Sequence, residues 1–207
     1  LNIDFRLKEA EPLLTAGQVM AYAQLPVVTK QACCGDCSKM LAQGNGKKKM
    51  KLADKKNNEV AVTTPNLTFK IDRSTGLISE YAYNGKSLLS EGGTLKPNFW
   101  RAPTDNDMGA GLQKKYQAWK NPQMNLKNIE VKKDKKANTV TILTSFDMPE
   151  VQGQMDITYV VFANTGAVKV TEDFKATEGA KVSDMFRFGM LMQMPYTMEK
   201  SNYYGRG

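Results

Sequence analysis

From residue 57 onward the chain alternates apolar and polar positions in short runs separated by turn residues. Glu59–Thr63, Leu67–Asp72 and 77–83 read as three strands, joined by Thr64-Pro65-Asn66 and Arg73-Ser74-Thr75-Gly76. Asn84-Gly85 carries the strongest hairpin signal, because both residues tolerate positive φ. Residues 126–132, 139–146, 154–162 and 167–175 repeat the two-residue period, and 186–194 is a final apolar run stopped by Pro195. Between the two groups, Leu112, Tyr116 and Trp119 share one face of a short helix within 111–121. Many short strands with polar turns predict an all-β, antiparallel sandwich.

The first part of the chain is organised differently. Leu1, Ile3, Phe5 and Leu7 alternate with Asn2, Asp4, Arg6 and Lys8, which predicts a half-buried strand, and 18–26 resumes the extended pattern after a loop containing Pro12. Two strands do not fold alone, so residues 1–28 need partner strands from elsewhere. Residues 29–56 hold Gly35, Gly44, Gly46 and many lysines but few large apolar side chains, a linker composition, with a short helix fitting 38–43.

Composition adds exclusions. With 207 residues, 41% hydrophobic and 24% charged, the chain has the balance of a globular protein with a sizeable core. No run of about 18 apolar residues occurs, so no membrane-spanning helix is predicted. The opening residues lack a basic head and apolar core, so no signal peptide is expected within this chain, and the absence of a starting Met fits a fragment or processed product. The net charge of +8 comes from lysines gathered at Lys47, Lys48, Lys49, Lys51, Lys55 and Lys56 and again at Lys132, Lys133, Lys135 and Lys136. No aromatic residues are interleaved with them to stack on bases, so they read as solvated lysines and no nucleic-acid partner is predicted. Cys33, Cys34 and Cys37 stand together, but with no second cysteine pair and no His the chain cannot close a tetrahedral zinc site of thiolates and imidazoles. An oxidised Cys34–Cys37 pair and free thiols both remain open.

The chemically richest stretch is 97–109, Pro97-Asn98-Phe99-Trp100-Arg101-Ala102-Pro103-Thr104-Asp105-Asn106-Asp107-Met108-Gly109. Arg101 offers a rigid fork of donors that Asp105, Asn106 and Asp107 can accept while bonding nearby backbone, so the segment reads as a self-locked loop. Pro103 pushes Ala102 toward an extended conformation, and Gly109 is expected to let the chain turn where a side chain would clash. A calcium loop would want a glycine at the sixth position and a distal Glu, and both are missing.

These residues carry a resemblance. Arg101-Ala102-Pro103-Thr104-Asp105-Asn106-Asp107 resembles the R-A-P-x-D-N-D signature of the C-terminal domain of glycoside hydrolase family 2 β-galactosidases. Arg187-Phe188-Gly189, followed by Pro195, is similar to that family's R-x-G-x-x-x-x-x-P strand, and 203–207 resembles the start of its W-Y-G-R-G-P motif, with Tyr203 in place of Trp. The three motifs fall in the family's order. The resemblance covers 57–207 well and 1–28 more loosely.

The resemblance implies a galactose-mutarotase-like supersandwich, here partial, over 57–207, preceded by the last two strands of an immunoglobulin-like sandwich in 1–28 and a linker in 29–56. It implies a supporting role beside a barrel that carries two catalytic glutamates, in a retaining enzyme acting on terminal β-D-galactosides. This chain shows no alternating βα pattern and is expected to hold no catalytic residue. Arg101, Asp105, Asn106, Asp107 and Gly109 become the substrate-mouth loop or its support, and Trp100 and Tyr204 become candidates for stacking on sugar. No metal is expected in this chain, since the Mg or Na of the family enzyme belongs to the barrel. The implied partners are the rest of the β-galactosidase, its galactoside substrate and further copies of the same protein, with neither membrane nor nucleic acid. The alternative is a stand-alone carbohydrate-binding or mutarotase-like module. The absence of His weighs against mutarotase chemistry, which wants a general acid and base.

Overall fold

The computed structural model describes residues 1–25, 41, 42, 44, 46–56 and 58–201. Cys33, Cys34, Cys37, Tyr203 and Tyr204 therefore lie outside the described residues, as does most of the expected 38–43 helix, of which Leu41 and Ala42 are helical. The chain divides into two units, 1–37 and 38–207.

The first unit contains an antiparallel pair, β1 (Asn2–Arg6) and β2 (Val19–Gln24), in which Asn2 faces Gln24 and Phe5 faces Ala21. The two predicted strands form, but the expected half-burial does not. Phe5 is 63% and Tyr22 80% exposed, and the described residues of the first unit hold no second sheet to cover the pair.

The second unit is built on two antiparallel sheets. One runs in the order β3-β4-β5-β6-β7, with β3 Lys51–Lys56, β4 Glu59–Thr63, β5 Leu67–Asp72, β6 Ile78–Tyr83 and β7 Lys86–Ser87. The other runs β12-β11-β10-β9, with β9 Asn125–Asp134, β10 Thr139–Met148, β11 Gly153–Phe162 and β12 Ala167–Ala176. The period-2 patterns decide which faces meet. Val60, Val62, Leu67, Phe69 and Ile71 of the first sheet share one buried cluster with Val140, Ile142, Phe146, Met155, Ile157 and Tyr159 of the second. Contacts across the layers fix the approach: the Phe69 and Tyr159 rings lie 6.0 Å apart, and the Tyr81 hydroxyl donates to the Gly166 carbonyl at 3.2 Å. At Gly76, whose φ is +71°, an added Cβ would come within 2.6 Å of Leu126 Cδ1 and 2.9 Å of Phe146 Cζ. This turn therefore needs glycine both for its backbone and for the approach of the opposite sheet. Asn84 and Gly85, with φ of 50° and 76°, make the β6–β7 hairpin that their sequence predicts.

Two expectations about elements are corrected. β3 lies inside the span read as linker, where its lysines hid a strand that pairs with β4. Leu52 packs against the core and Asp54 pairs with Arg73. The last strand is also shorter than expected. β13 is Gly189–Met192, paired with β8 (Leu95–Asn98), and Phe186 and Phe188 stand outside it because their rings enter an aromatic cluster.

One polar exception sits on the inward face of β12. Glu172 lies between Val170 and Phe174 and opposite Ile157, and its Oε1 is buried without a hydrogen-bond partner among the described residues. Burial pushes its carboxyl up to about 7. Tyr159 is raised as well, first by its own burial and then by the nearby Glu172 charge. No helix among the described residues is long and apolar enough to cross a membrane.

Candidate functional site

The segment after β8 leaves the sheet at Asn98, whose side chain accepts the Trp100 N–H at 3.1 Å. Phe99 turns inward, 2% exposed, and packs at 5.1 Å, its ring tilted at 59°, against Trp119, which is itself 1% exposed. Trp119 lies in a 3₁₀ turn, Gln117–Trp119, that follows the short helix predicted in this region, and its indole N–H donates to the Ser183 carbonyl at 2.9 Å. Phe174 of β12 closes the other side of Trp119 at 5.1 Å. The root of the segment is thus fixed to the second sheet by aromatic packing.

Beyond the root, the expected loop is in part a helix. Asp105–Gly109 forms α1, and Thr104 is its N-cap. The Thr104 hydroxyl accepts the Asp107 N–H at 3.3 Å, while the Asp107 carboxylate accepts the Thr104 N–H at 2.7 Å and the Thr104 hydroxyl at 2.9 Å, a reciprocal capping box. Arg101 completes the lock. Its guanidinium forks onto Asp107, with Nη1 on Oδ2 at 2.5 Å and Nη2 on Oδ1 at 3.2 Å, and Nη1 also donates to the Ala102 carbonyl at 3.1 Å. The Arg101 fork, followed by the Thr104 donors, holds the Asp107 carboxyl well below the usual carboxylate range, and Asp107 in turn raises Arg101.

Arg101 is positioned from behind by Phe186, over whose ring it lies at 4.7 Å. The same ring meets Trp100 edge-on at 4.8 Å and Tyr116 at 5.1 Å. One phenylalanine from the run before β13 therefore touches the signature segment, its arginine and the residue that ends α2 (Leu112–Lys115).

The predicted site residues separate into two groups. Arg101 and Asp107 are bonded to each other and to Thr104. Asp105 and Asn106 lie on the exposed side of α1 and take no part in that network. Gly109 does not make the expected tight turn. α1 runs through it, and a Cβ there would meet nothing within 4 Å. The positive φ, +69°, falls instead on Gly111, where the chain redirects into α2. Met108, 50% exposed, stands at the outer end of the locked segment. Trp100 is half-buried, edge-on to Phe186 and approached by Lys120 at 5.8 Å, so its ring is engaged within the protein. Among the described residues, no group of three or more His, Cys, Asp or Glu could hold a metal ion.

Thr104 and Phe186 belong to the candidate site and were not read from the sequence. Thr104 had a signal, since Thr-x-x-Asp is a capping pattern, whereas nothing local in the sequence marks Phe186 as the residue under Arg101.

Fold and site together define a segment of an antiparallel sandwich whose R-A-P-x-D-N-D stretch is locked in place as a rigid edge. Residues 63–207 match the model of the β-galactosidase small chain, and this chain belongs to that family. It is 26% identical over 207 residues to a β-galactosidase of Priestia megaterium, covering 100% of this chain and 19% of that protein. A β-galactosidase of Lactobacillus delbrueckii subsp. bulgaricus is 33% identical over 110 residues, 53% of this chain and 11% of that protein. One from Clostridium acetobutylicum is 24% identical over 210 residues, 100% of this chain and 22% of that protein. The chain thus spans about a fifth or less of the length of these curated relatives.

Proposed function

We propose that this chain is a supporting, non-catalytic part of a retaining glycoside hydrolase family 2 β-galactosidase that acts on terminal β-D-galactosides. Its acid/base and nucleophile carboxyl groups would lie on a barrel outside the chain, together with any Mg or Na. The observation that carries this reading is the Arg101–Asp107 fork closed over the Thr104 capping box. A bidentate ion pair and two cap bonds fix Met108 and the residues after it relative to the sandwich. Such fixing is what a border of a substrate mouth needs, because reacting groups misplaced by about 1 Å lose on the order of 100-fold in rate. In this reading Asp105, Asn106 and Gly109 form the outer rim of that mouth, Trp100 braces it and Tyr204 stacks on sugar. β1 and β2 belong to the preceding immunoglobulin-like domain, and the partners are the rest of the enzyme and further copies of it.

The test uses the full-length protein. Asp107→Asn and Arg101→Lys each loosen the fork while keeping size, and kcat/KM on a nitrophenyl β-galactoside is expected to fall roughly tenfold in proteins that still melt cooperatively. Folded variants with unchanged kcat/KM, or a wild type that hydrolyses no β-galactoside, would overturn the reading.

A further inference from the structure

Two lysine-rich segments that are far apart in sequence converge on one face. Lys47 Nζ donates to the Lys135 carbonyl at 2.5 Å across 88 residues. Two asparagines fasten the neighbouring backbone. Asn138 Nδ2 donates to the Lys48 carbonyl at 3.1 Å and to Asn164 Oδ1 at 2.6 Å, and Asn164 Oδ1 also accepts the Lys48 N–H at 3.1 Å. The result is an open cavity of about 410 Å³ lined by Lys47, Lys48, Lys49, Lys133 and Lys135. A second concavity of about 260 Å³ shares Lys49 with it and adds Lys51.

Little opposes this charge. Asp134, at the β9–β10 turn, accepts the Lys136 and Ala137 N–H groups at 2.7 and 2.9 Å, and its charge acts on Lys136 and, last among its interactions, on Lys47. No carboxylate among the described residues pairs with Lys48, Lys49, Lys51, Lys133 or Lys135. Lysines held side by side repel one another, and a chain of anions laid across them relieves that repulsion while releasing its own counterions.

The lining chooses among anions. Among the described residues it has no aromatic ring to stack on a base and no arginine fork to read one, which disfavours single-stranded nucleic acid. Met50 is the one large apolar side chain lining it among the described residues, which supply no further anchor of the kind a protein interface or a bilayer surface would use. We propose that this face docks an anionic polysaccharide carrying sulfate or carboxylate groups along its chain. The choice of a glycan over duplex nucleic acid rests on the carbohydrate-directed reading above.

The test compares binding of the full-length protein to heparin, polygalacturonate, neutral dextran and a short DNA duplex at about 50 and about 200 mM salt. A variant carrying Lys47→Gln, Lys48→Gln, Lys133→Gln and Lys135→Gln is matched by one of equal charge loss at exposed sites elsewhere, Lys8→Gln, Lys86→Gln, Lys181→Gln and Lys200→Gln. At least one acidic polysaccharide is expected to bind, weakening steeply with salt. The patch variant should bind roughly tenfold weaker with a flatter salt dependence, while the matched variant stays near wild type. Hydrolysis of a neutral galactoside should be the same in all three. No binding at the lower salt, tighter binding to the duplex than to either acidic polysaccharide, or equal loss in the two variants would overturn the proposal. Glycan binding through these lysines in a protein that hydrolyses no galactoside would uphold the surface and overturn the functional reading.

Discussion

The approach of the second sheet to the turn before β6 is testable at Gly76, because two costs meet there and each can be isolated at another glycine. Replacing Gly76 by Ala puts a side chain at φ +71°, which costs about 1 kcal/mol. It also pushes a methyl to 2.6 Å from Leu126 Cδ1 and 2.9 Å from Phe146 Cζ. The Leu126 methyl can swing aside, but Phe146 is only 2% exposed and packed in the core, so overpacking adds about 1–3 kcal/mol. Gly85→Ala carries the backbone term alone, since its φ is +76° and nothing lies within 4 Å of the added Cβ. Gly153→Ala carries the packing term alone, because its φ is not positive and the new methyl would meet Phe174 Cε2 at 2.6 Å and the Lys175 carbonyl at 2.9 Å. With a urea m-value of about 2.5 kcal/mol/M, the midpoint should fall by about 0.4 M for Gly85→Ala and by about 1 M or more for Gly76→Ala. Both tryptophans of the chain, Trp100 and Trp119, lie in the second unit, so their fluorescence reports its unfolding without signal from the first. Equal midpoints for Gly76→Ala and Gly85→Ala would refute the packing of β9 and β10 against the 73–76 turn.

Other expectations follow from single residues. Glu172 has a folded pKa of about 7 against an ordinary 4.5, so the folded state holds the proton more tightly than the unfolded one. Its contribution is fully present below about pH 4.5 and is lost as pH rises through about 7, and Glu172→Gln should remove this loss. Thermal melts at pH 5 and pH 8 should show the variant gaining relative to wild type much more at the higher pH, where the loss is complete, than at pH 5, where it has only begun; an equal gain at both would contradict the assignment. Phe186→Leu removes two edge-to-face contacts and the ring under Arg101, and should destabilise the second unit by about 1–2 kcal/mol while shifting Trp100 emission to the red. An unchanged midpoint and spectrum would mean that the ring supports nothing.

The strands of the second unit were legible because each buries one face, so that apolar positions such as Leu67, Phe69 and Ile71 recur at every second residue. The hairpin at Asn84-Gly85 was legible because its backbone requirement is local. What stayed hidden depends on distant partners. β3 was obscured by its lysines, since its place in the sheet is decided by pairing with β4 and not by its composition. α1 was hidden by Asp105-Asn106-Asp107, residues that favour turns until a cap such as Thr104 organises them into a helix. Arg101 and its acceptors were visible as chemistry, but which carboxylate it forks, and that Phe186 lies beneath it, depend on a contact across more than eighty residues. The convergence of Lys47 with Lys135 is likewise a product of topology.

The most direct test of the central claim, that this chain supports glycoside cleavage without performing it, is hydrolysis of a chromogenic β-galactoside. The purified 207-residue chain is assayed alone and then mixed with the remainder of the longer β-galactosidase to which it is proposed to belong. The account predicts no turnover by the chain alone and activity that appears on mixing in proportion to the chain added. Turnover by the isolated chain, or full activity of the remainder without it, would contradict the account.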